Sequence, residues 1–291
     1  MNPVNWNFST QPTRQAPSLD SAISALITAK SAAGCRRIYV VGLRSYLLQF
    51  AKGREQLPLS EVTVETIEQW FASRSEAPIT KASNLGRLGS LFGFAYRRGW
   101  ISDNPCRRME RMRIDPKPPK ILSPSEVRSM MRWVAENRPS CLAWFALAAY
   151  AGLRPSEGYK VSWSAINLDA GTVTIDAGAS KVRHRRIVHL EPVALSWLKR
   201  AQSMDSLLPV AKITIRRARG KMAKAMPSLS RDQDILRHTA ASYLLALHQD
   251  AGKVARELGN SAGVLLRHYT ELVDRSVALD YWEQEEWRMA A

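Results

Sequence analysis

The chain has 291 residues and carries 42 Lys and Arg against 26 Asp and Glu, a net charge of +16. That length allows about two domains, and a hydrophobic content of 45% excludes a wholly disordered chain. The longest strongly apolar run, Cys141–Leu153, is too short for the roughly 20 residues of a membrane span, and Met1–Asp20 shows no basic start followed by an apolar stretch, so no signal peptide is expected.

The three cysteines, Cys35, Cys106 and Cys141, are odd in number and form no CxxC pair. Reduced thiols in a cytoplasmic setting are expected, with no structural metal and no cofactor. The positive charge suits a polyanion. It divides into +9 over residues 1–120 and +7 over 121–291, while residues 270–291 run the other way at −4.

In chain order, residues 1–17 read as a flexible polar arm. Ser18–Ala33 reads as a helix with Ile23, Leu26 and Ile27 on one face, and Arg36–Ala51 as a second. A third starts after Thr63, an N-cap, and spaces Val64, Ile67, Trp70 and Phe71 helically. A fourth covers Thr80–Gly99, carrying Leu85, Leu88, Leu91, Phe92 and Phe94. Residues 18–103 thus form a helical domain. Residues 104–120, with Pro105, Pro116, Pro118 and Pro119 among Arg107, Arg108, Arg111 and Arg113, read as a basic linker.

A second domain, 121–269, opens on Ser123-Pro124-Ser125-Glu126, a capping box with proline at the first helical position. Val127, Met130, Met131 and Val134 follow as core residues, and Cys141–Leu153 is a buried helix ending at Gly152. Thr172–Ile175 and Arg186–Leu190 read as strands of a small antiparallel sheet, joined through a turn at Ala177–Ser180. Helices resume near Val193, Leu236, Lys253 and Gly263. The acidic tail, 270–291, interleaves Leu279, Tyr281, Trp282 and Trp287 with its charges, which suits either docking on a basic neighbour or packing on its own domain.

Four blocks carry chemistry: Ala151-Gly152-Leu153-Arg154-Pro155-Ser156-Glu157; Ser180-Lys181; Ile235-Leu236-Arg237-His238-Thr239-Ala240; and Leu258-Gly259-Asn260 with Tyr269 nine residues on. The planar arginine fork matches a phosphate bidentately. The blocks, in this order and spacing, resemble the tyrosine recombinase (phage integrase) family, and the resemblance extends over nearly the whole chain. It implies a mainly α fold with a small antiparallel sheet, in which a helical DNA-clamp domain precedes a mixed α/β catalytic domain.

The resemblance also implies roles. Arg154 and Arg237 would clamp the phosphate, Tyr269 would be the nucleophile, Lys181 the general acid, and Glu157, one helical turn from Arg154, would orient the site. Two positions depart from the family's pattern. Asp234 stands where His or Lys is usual, and an aspartate there faces a second anion, accepts the tyrosine proton or buttresses Arg237. Asn260 replaces His or Trp and can still donate a hydrogen bond.

Arg97, Arg98, Arg107, Arg108, Arg183, Arg185, Arg216, Arg217 and Arg219 are read as DNA-backbone contacts. The partners implied are duplex DNA and three further copies of the chain, forming a homotetramer on two duplexes with tail docking between subunits. The activity expected is strand cutting and rejoining through a 3′-phosphotyrosine, with a phage, a mobile element and chromosome maintenance all open as its setting. The alternatives are a DNA-binding homologue that lost the chemistry, as Asp234 and Asn260 permit, or a type IB topoisomerase-like enzyme.

Overall fold

A computed structural model describes residues 16–110, 112–113, 118–179, 184–227, 229, 232, 234–269 and 273–283, with only the backbone at His268. The arm up to residue 15, Arg111, Ser180, Lys181, Arg183 and Trp287 lie outside the described residues. The chain separates into two compact units that divide between Pro116 and Lys117. Among the described residues no helix is long and apolar enough to cross a membrane.

The first unit holds α1 (Leu19–Ala32), α2 (Arg37–Ala51), α3 (Val64–Ala72) and α4 (Pro78–Arg97). Ser18 and Thr63 cap α1 and α3 by accepting the backbone N–H groups of Ser21 and Thr66, each satisfying one of the donors that a helix start leaves open. Helical spacing brings Leu19, Ile23, Leu26, Leu43, Leu47, Phe50, Ile67, Leu88, Leu91 and Phe92 into one core. Trp70 sits among Tyr46, Phe50 and Phe71, with ring centroids 5.2–5.4 Å apart in edge-to-face contact. The start of the Pro-rich segment is folded rather than extended. Asn104 accepts the Cys106 N–H, and the short turn Pro105–Arg107 packs against α3 and α4.

In the second unit, α5 (Pro124–Asn137) carries the complete Ser123–Glu126 capping box. The apolar run becomes α6 (Leu142–Tyr150), every residue of which is buried, as an all-round apolar helix must be. It packs against α8 (Pro192–Ser203), α10 (Ile235–His248) and α5. The sheet has three antiparallel strands in the order β1 (Ile166–Asn167), β2 (Thr172–Ile175) and β3 (Arg186–His189). Val173 opposite Val188 fixes the register, with both side chains buried. The very short β1 and the helix α9 (Lys212–Ala225) went unrecognised in the sequence. The α9 residues are dominated by Lys and Arg, with only Ile215, Ala218 and Met222 buried.

The turn α7 (Pro155–Gly158) packs on α6, α11 (Ala251–Leu258) on α10 and β3, α12 (Ala262–Tyr269) on α10 and α11, and α13 (Arg275–Trp282) on α10 and α5. Of the two readings of the tail, the described part takes the second. Tyr281 is wholly buried, stacked on Tyr243 at 4.0 Å, and donates to the Ala149 carbonyl at 2.6 Å. The Trp282 indole donates to the Tyr243 carbonyl. Val277 and Leu279 face outward. Two aromatic faces that the acidic sequence made look available, Tyr281 and Trp282, thus lie against α10 and α6 of their own unit.

Candidate active site

The site forms where α6 and α11 end. Both end on a glycine with left-handed backbone, Gly152 at φ +61° and Gly259 at φ +64°, a conformation that an L side chain enters at a cost. At Gly152 there is also no room: a Cβ would lie 2.5 Å from Leu258 Cδ2. The two turns present backbone carbonyls to two arginines. Arg237, on α10, donates to the carbonyls of Gly152 at 2.6 Å and Leu258 at 2.8 Å. Arg154, which precedes α7, donates to the carbonyls of Leu258 at 3.2 Å and Gly259 at 2.7 Å.

Both guanidiniums then converge on one atom. Asn260 Oδ1 accepts from Arg154 Nη2 at 2.7 Å and from Arg237 Nη2 at 3.0 Å. Sequence reasoning expected Asn260 to donate. The orientation is the reverse because arginine offers donors only, so the amide must present its oxygen. An acceptor oxygen held by two arginine forks has the chemistry of a phosphate oxygen's place.

Glu157 is wholly buried beneath this pair. Its carboxylate takes the Arg154 backbone N–H at 3.0 Å and Nη1 at 3.1 Å. Arg186 supplies two more hydrogen bonds, at 3.1 and 2.7 Å, and donates Nε to the Glu257 carbonyl. Burial works against the Glu157 charge, yet the Arg186 hydrogen bond and charge, with Arg154, hold its carboxyl below the usual range. Two guanidiniums therefore bond this carboxylate and a third, Arg237, feels it through space, leaving positive charge in excess. Burial first, then Arg154 and Arg186, lower Arg237 to about 10, against the opposing pull of Glu157 and Tyr269. It remains a cation at neutral pH.

Tyr269, at the end of α12, is buried, and its phenol lies 2.6 Å from His238 Nδ1. Burial pushes its pKa up and the Asp234 charge adds to this, while Arg237 and Arg154 act the other way. The phenol is thus within electrostatic reach of both arginines. The arrangement can hold an anion between Arg154 and Arg237 with a neutral phenol beside it.

Of the residues expected here, Arg154, Glu157, Arg237, Asn260 and Tyr269 come together. Asp234 does not buttress Arg237, which is held by carbonyls; it is exposed at the start of α10 and acts on Tyr269 only through space. Lys181 and Arg183 lie outside the described residues.

Two residues were missed. Arg186 shares the inward face of β3 with buried Val188, and an arginine at such a position calls for a carboxylate partner; that alternation was a readable signal. His238 stands inside the Ile235–Ala240 block, but its role shows only in the contact with a partner 31 residues away.

The basic residues divide. On the first unit Arg97, Arg98, Arg107 and Arg108 are exposed; Arg98 lies over Phe94, Arg107 over Tyr96, and Arg108 pairs with Asp103. On the second, Arg216 and Arg217 are exposed, as is Arg185, 3.9 Å from Asp176. Arg219 departs from expectation: it is half-buried and donates to the Asp232 carbonyl just before α10. Burial first lowers its basicity, and Tyr159, Asp232 and Asp234 offset part of that. A groove of about 1160 Å³ opens beside Arg154, lined by Arg185, Arg186, Lys253, Arg256 and Asn260 among others.

Residues 120–275 match the Phage integrase family model. The chain belongs to the phage integrase family. It is 24% identical over 235 residues to tyrosine recombinase XerC of Thermodesulfovibrio yellowstonii, an alignment covering 70% of this chain and 77% of the relative. Among solved structures it is similar to the Tn1549 transposon integrase in complex with a circular intermediate DNA, at a TM-score of 0.71 and 12% identity, covering 94% of this chain and all of that one. It is also similar to lambda integrase, solved as a tetramer bound to a Holliday junction, at a TM-score of 0.67 and 15% identity, covering 87% and 78%. These two likenesses establish the integrase fold, mainly helical with a three-stranded antiparallel sheet. The family is that of the tyrosine recombinases and integrases.

Proposed function

We propose that this integrase cuts and rejoins duplex DNA through a covalent 3′-phosphotyrosine at Tyr269, acting as a site-specific recombinase. The observation that carries the reading is the convergence of Arg154 and Arg237 on a single acceptor oxygen, with the Tyr269 phenol within their electrostatic reach. The scissile phosphate displaces Asn260 Oδ1 and takes the two forks, which stabilise charge building on its non-bridging oxygens. Asn260 is then free to turn its amide N–H₂ toward the same phosphate. Tyr269 attacks phosphorus and the 5′ oxygen departs, with Lys181 as its proton donor. A 5′-hydroxyl from the partner duplex reverses the step. Glu157 holds Arg154 in place and keeps the cluster from carrying three unopposed charges. Neither metal nor nucleotide enters the reaction.

Duplex DNA is the substrate. The exposed Arg97, Arg98, Arg107, Arg108, Arg185, Arg216 and Arg217, together with Arg183, contact its backbone. The active assembly is a homotetramer on two duplexes, a reading supported by the lambda integrase tetramer on a Holliday junction. Docking of residues 270–291 on a neighbour falls to the outward face of α13, at Val277 and Leu279, because Tyr281 and Trp282 are committed to their own core.

The test uses a nicked duplex selected by binding from a randomised library, incubated with the protein and run on a denaturing gel. A slow-migrating adduct from the wild type, absent with Tyr269→Phe, is expected. Tight, salt-sensitive binding with no adduct overturns the enzyme reading in favour of a DNA-binding homologue, which Asp234 and Asn260 would then explain. Relaxation of supercoiled DNA without strand exchange would favour a topoisomerase.

A further inference from the structure

We infer that His238 is a catalytic residue of this integrase, taking the proton from the Tyr269 phenol as the phosphotyrosine forms and returning it on rejoining. The inference rests on the role proposed for Tyr269. Its basis is the 2.6 Å contact between His238 Nδ1 and the Tyr269 phenol oxygen, within the reach of direct proton transfer. A neutral phenol is a stronger donor than a neutral imidazole N–H, and an imidazole nitrogen is a stronger acceptor than a phenol oxygen. The favoured arrangement therefore has Tyr269 donating to Nδ1, with the imidazole hydrogen on Nε2.

The helix explains how one element serves two functions. Consecutive residues of α10 are about 100° apart around its axis, so Arg237 turns toward the carbonyls of Gly152 and Leu258 while His238 turns toward α12. Asp234 lies one turn before His238 on the same face, and its backbone carbonyl accepts the His238 N–H at 2.8 Å. The His238 imidazole thereby stands as a proton acceptor at the phenol. Buried Tyr269 needs such help, because its surroundings keep it neutral.

The step balances without an external reagent. The Tyr269 oxygen bonds to phosphorus as its proton passes to Nδ1. The bond from phosphorus to the 5′ oxygen breaks, and that oxygen takes its proton from the general acid. In the reverse step the imidazolium protonates the departing phenolate.

The experiment compares adduct formation by the wild type, His238→Ala and His238→Gln on the nicked duplex and on one with a sulfur bridging phosphorus to the 5′ carbon. Thiolate leaves without a proton, so the second substrate bypasses the general acid but not the base. Both variants should bind DNA as the wild type does and form adduct about 10²–10⁴-fold more slowly. The defect should persist on the sulfur substrate, and added imidazole should restore His238→Ala at least tenfold. Glutamine keeps a hydrogen-bond acceptor but cannot take a proton, so it serves as the conservative variant if alanine disturbs folding.

A His238→Gln rate within threefold of wild type overturns the inference, as does a defect that vanishes on the sulfur substrate or one that imidazole leaves untouched. If the wild type itself forms no adduct, it is the Tyr269 reading that fails. A wild-type adduct lost in Tyr269→Phe but unchanged in His238→Gln removes His238 alone.

Discussion

Replacing Glu157 with glutamine is a severe test of the charge arrangement at the site. The carboxylate is wholly buried and takes four hydrogen bonds, two from Arg154 and two from Arg186. Glutamine keeps one oxygen, but its amide nitrogen must face groups that only donate. The guanidiniums of Arg154, Arg186 and Arg237 are then left without their shared counter-charge. Removing one partner of a buried ion pair typically costs about 3–5 kcal/mol. At an m-value of about 2 kcal/mol/M this lowers the urea midpoint by roughly 2 M. Tryptophan fluorescence in urea measures the loss in the full chain, and hydrogen exchange locates it: α7, β3 and α11 should lose protection while α1–α4 keep theirs. A loss below about 1 kcal/mol would refute the reasoning, because it would mean that the three cations are held by carbonyls and solvent alone.

The same carboxylate sets an acid limb. Its folded value lies below the usual range, so its contribution is fully present above the unfolded value of about 4.3 and is lost as pH falls through the lower folded value; urea midpoints against pH should show this limb in the wild type and a flatter one in Glu157→Gln. Gly259→Ala places a Cβ 3.2 Å from the Arg186 guanidinium at a φ of +64°; a thermal melt should show a loss of roughly 1–2 kcal/mol from the left-handed backbone, with Gly259→Asn milder. Arg217→Ala and Arg219→Ala should separate. The first should weaken DNA binding and reduce the salt slope by about 1 in gel-shift titrations at unchanged stability. The second, which removes a donor to the Asp232 carbonyl, should lower stability.

The elements most legible in the sequence are those whose signals are local. The capping box at Ser123–Glu126, the N-caps Ser18 and Thr63, and the all-apolar α6 can each be read within a few residues. Helix α9 was hidden because its buried face is only three residues wide in a run of Lys and Arg. For the site, block order brought Arg154, Arg237, Asn260 and Tyr269 into one hypothesis, but spacing carries no orientation. That Asn260 turns its oxygen inward follows only once both arginines are seen to converge on it. Strand alternation turns Arg186 inward but does not name its partner 29 residues away, and His238 meets a partner 31 residues away, a distance over which periodicity says nothing. The burial of Tyr281 and Trp282 is likewise a contact with α6 and α10 that composition, dominated there by acidic residues, obscured.

The central claim is that Tyr269 becomes covalently joined to DNA, and peptide mapping of the adduct tests it most directly. After digestion of the complex with nuclease and trypsin, tandem mass spectrometry should find the peptide from His268 to Arg275 carrying a nucleotide on Tyr269 through its phenol oxygen. A nucleotide on any other residue, or an unmodified peptide from protein fully bound to the nicked duplex, would contradict it.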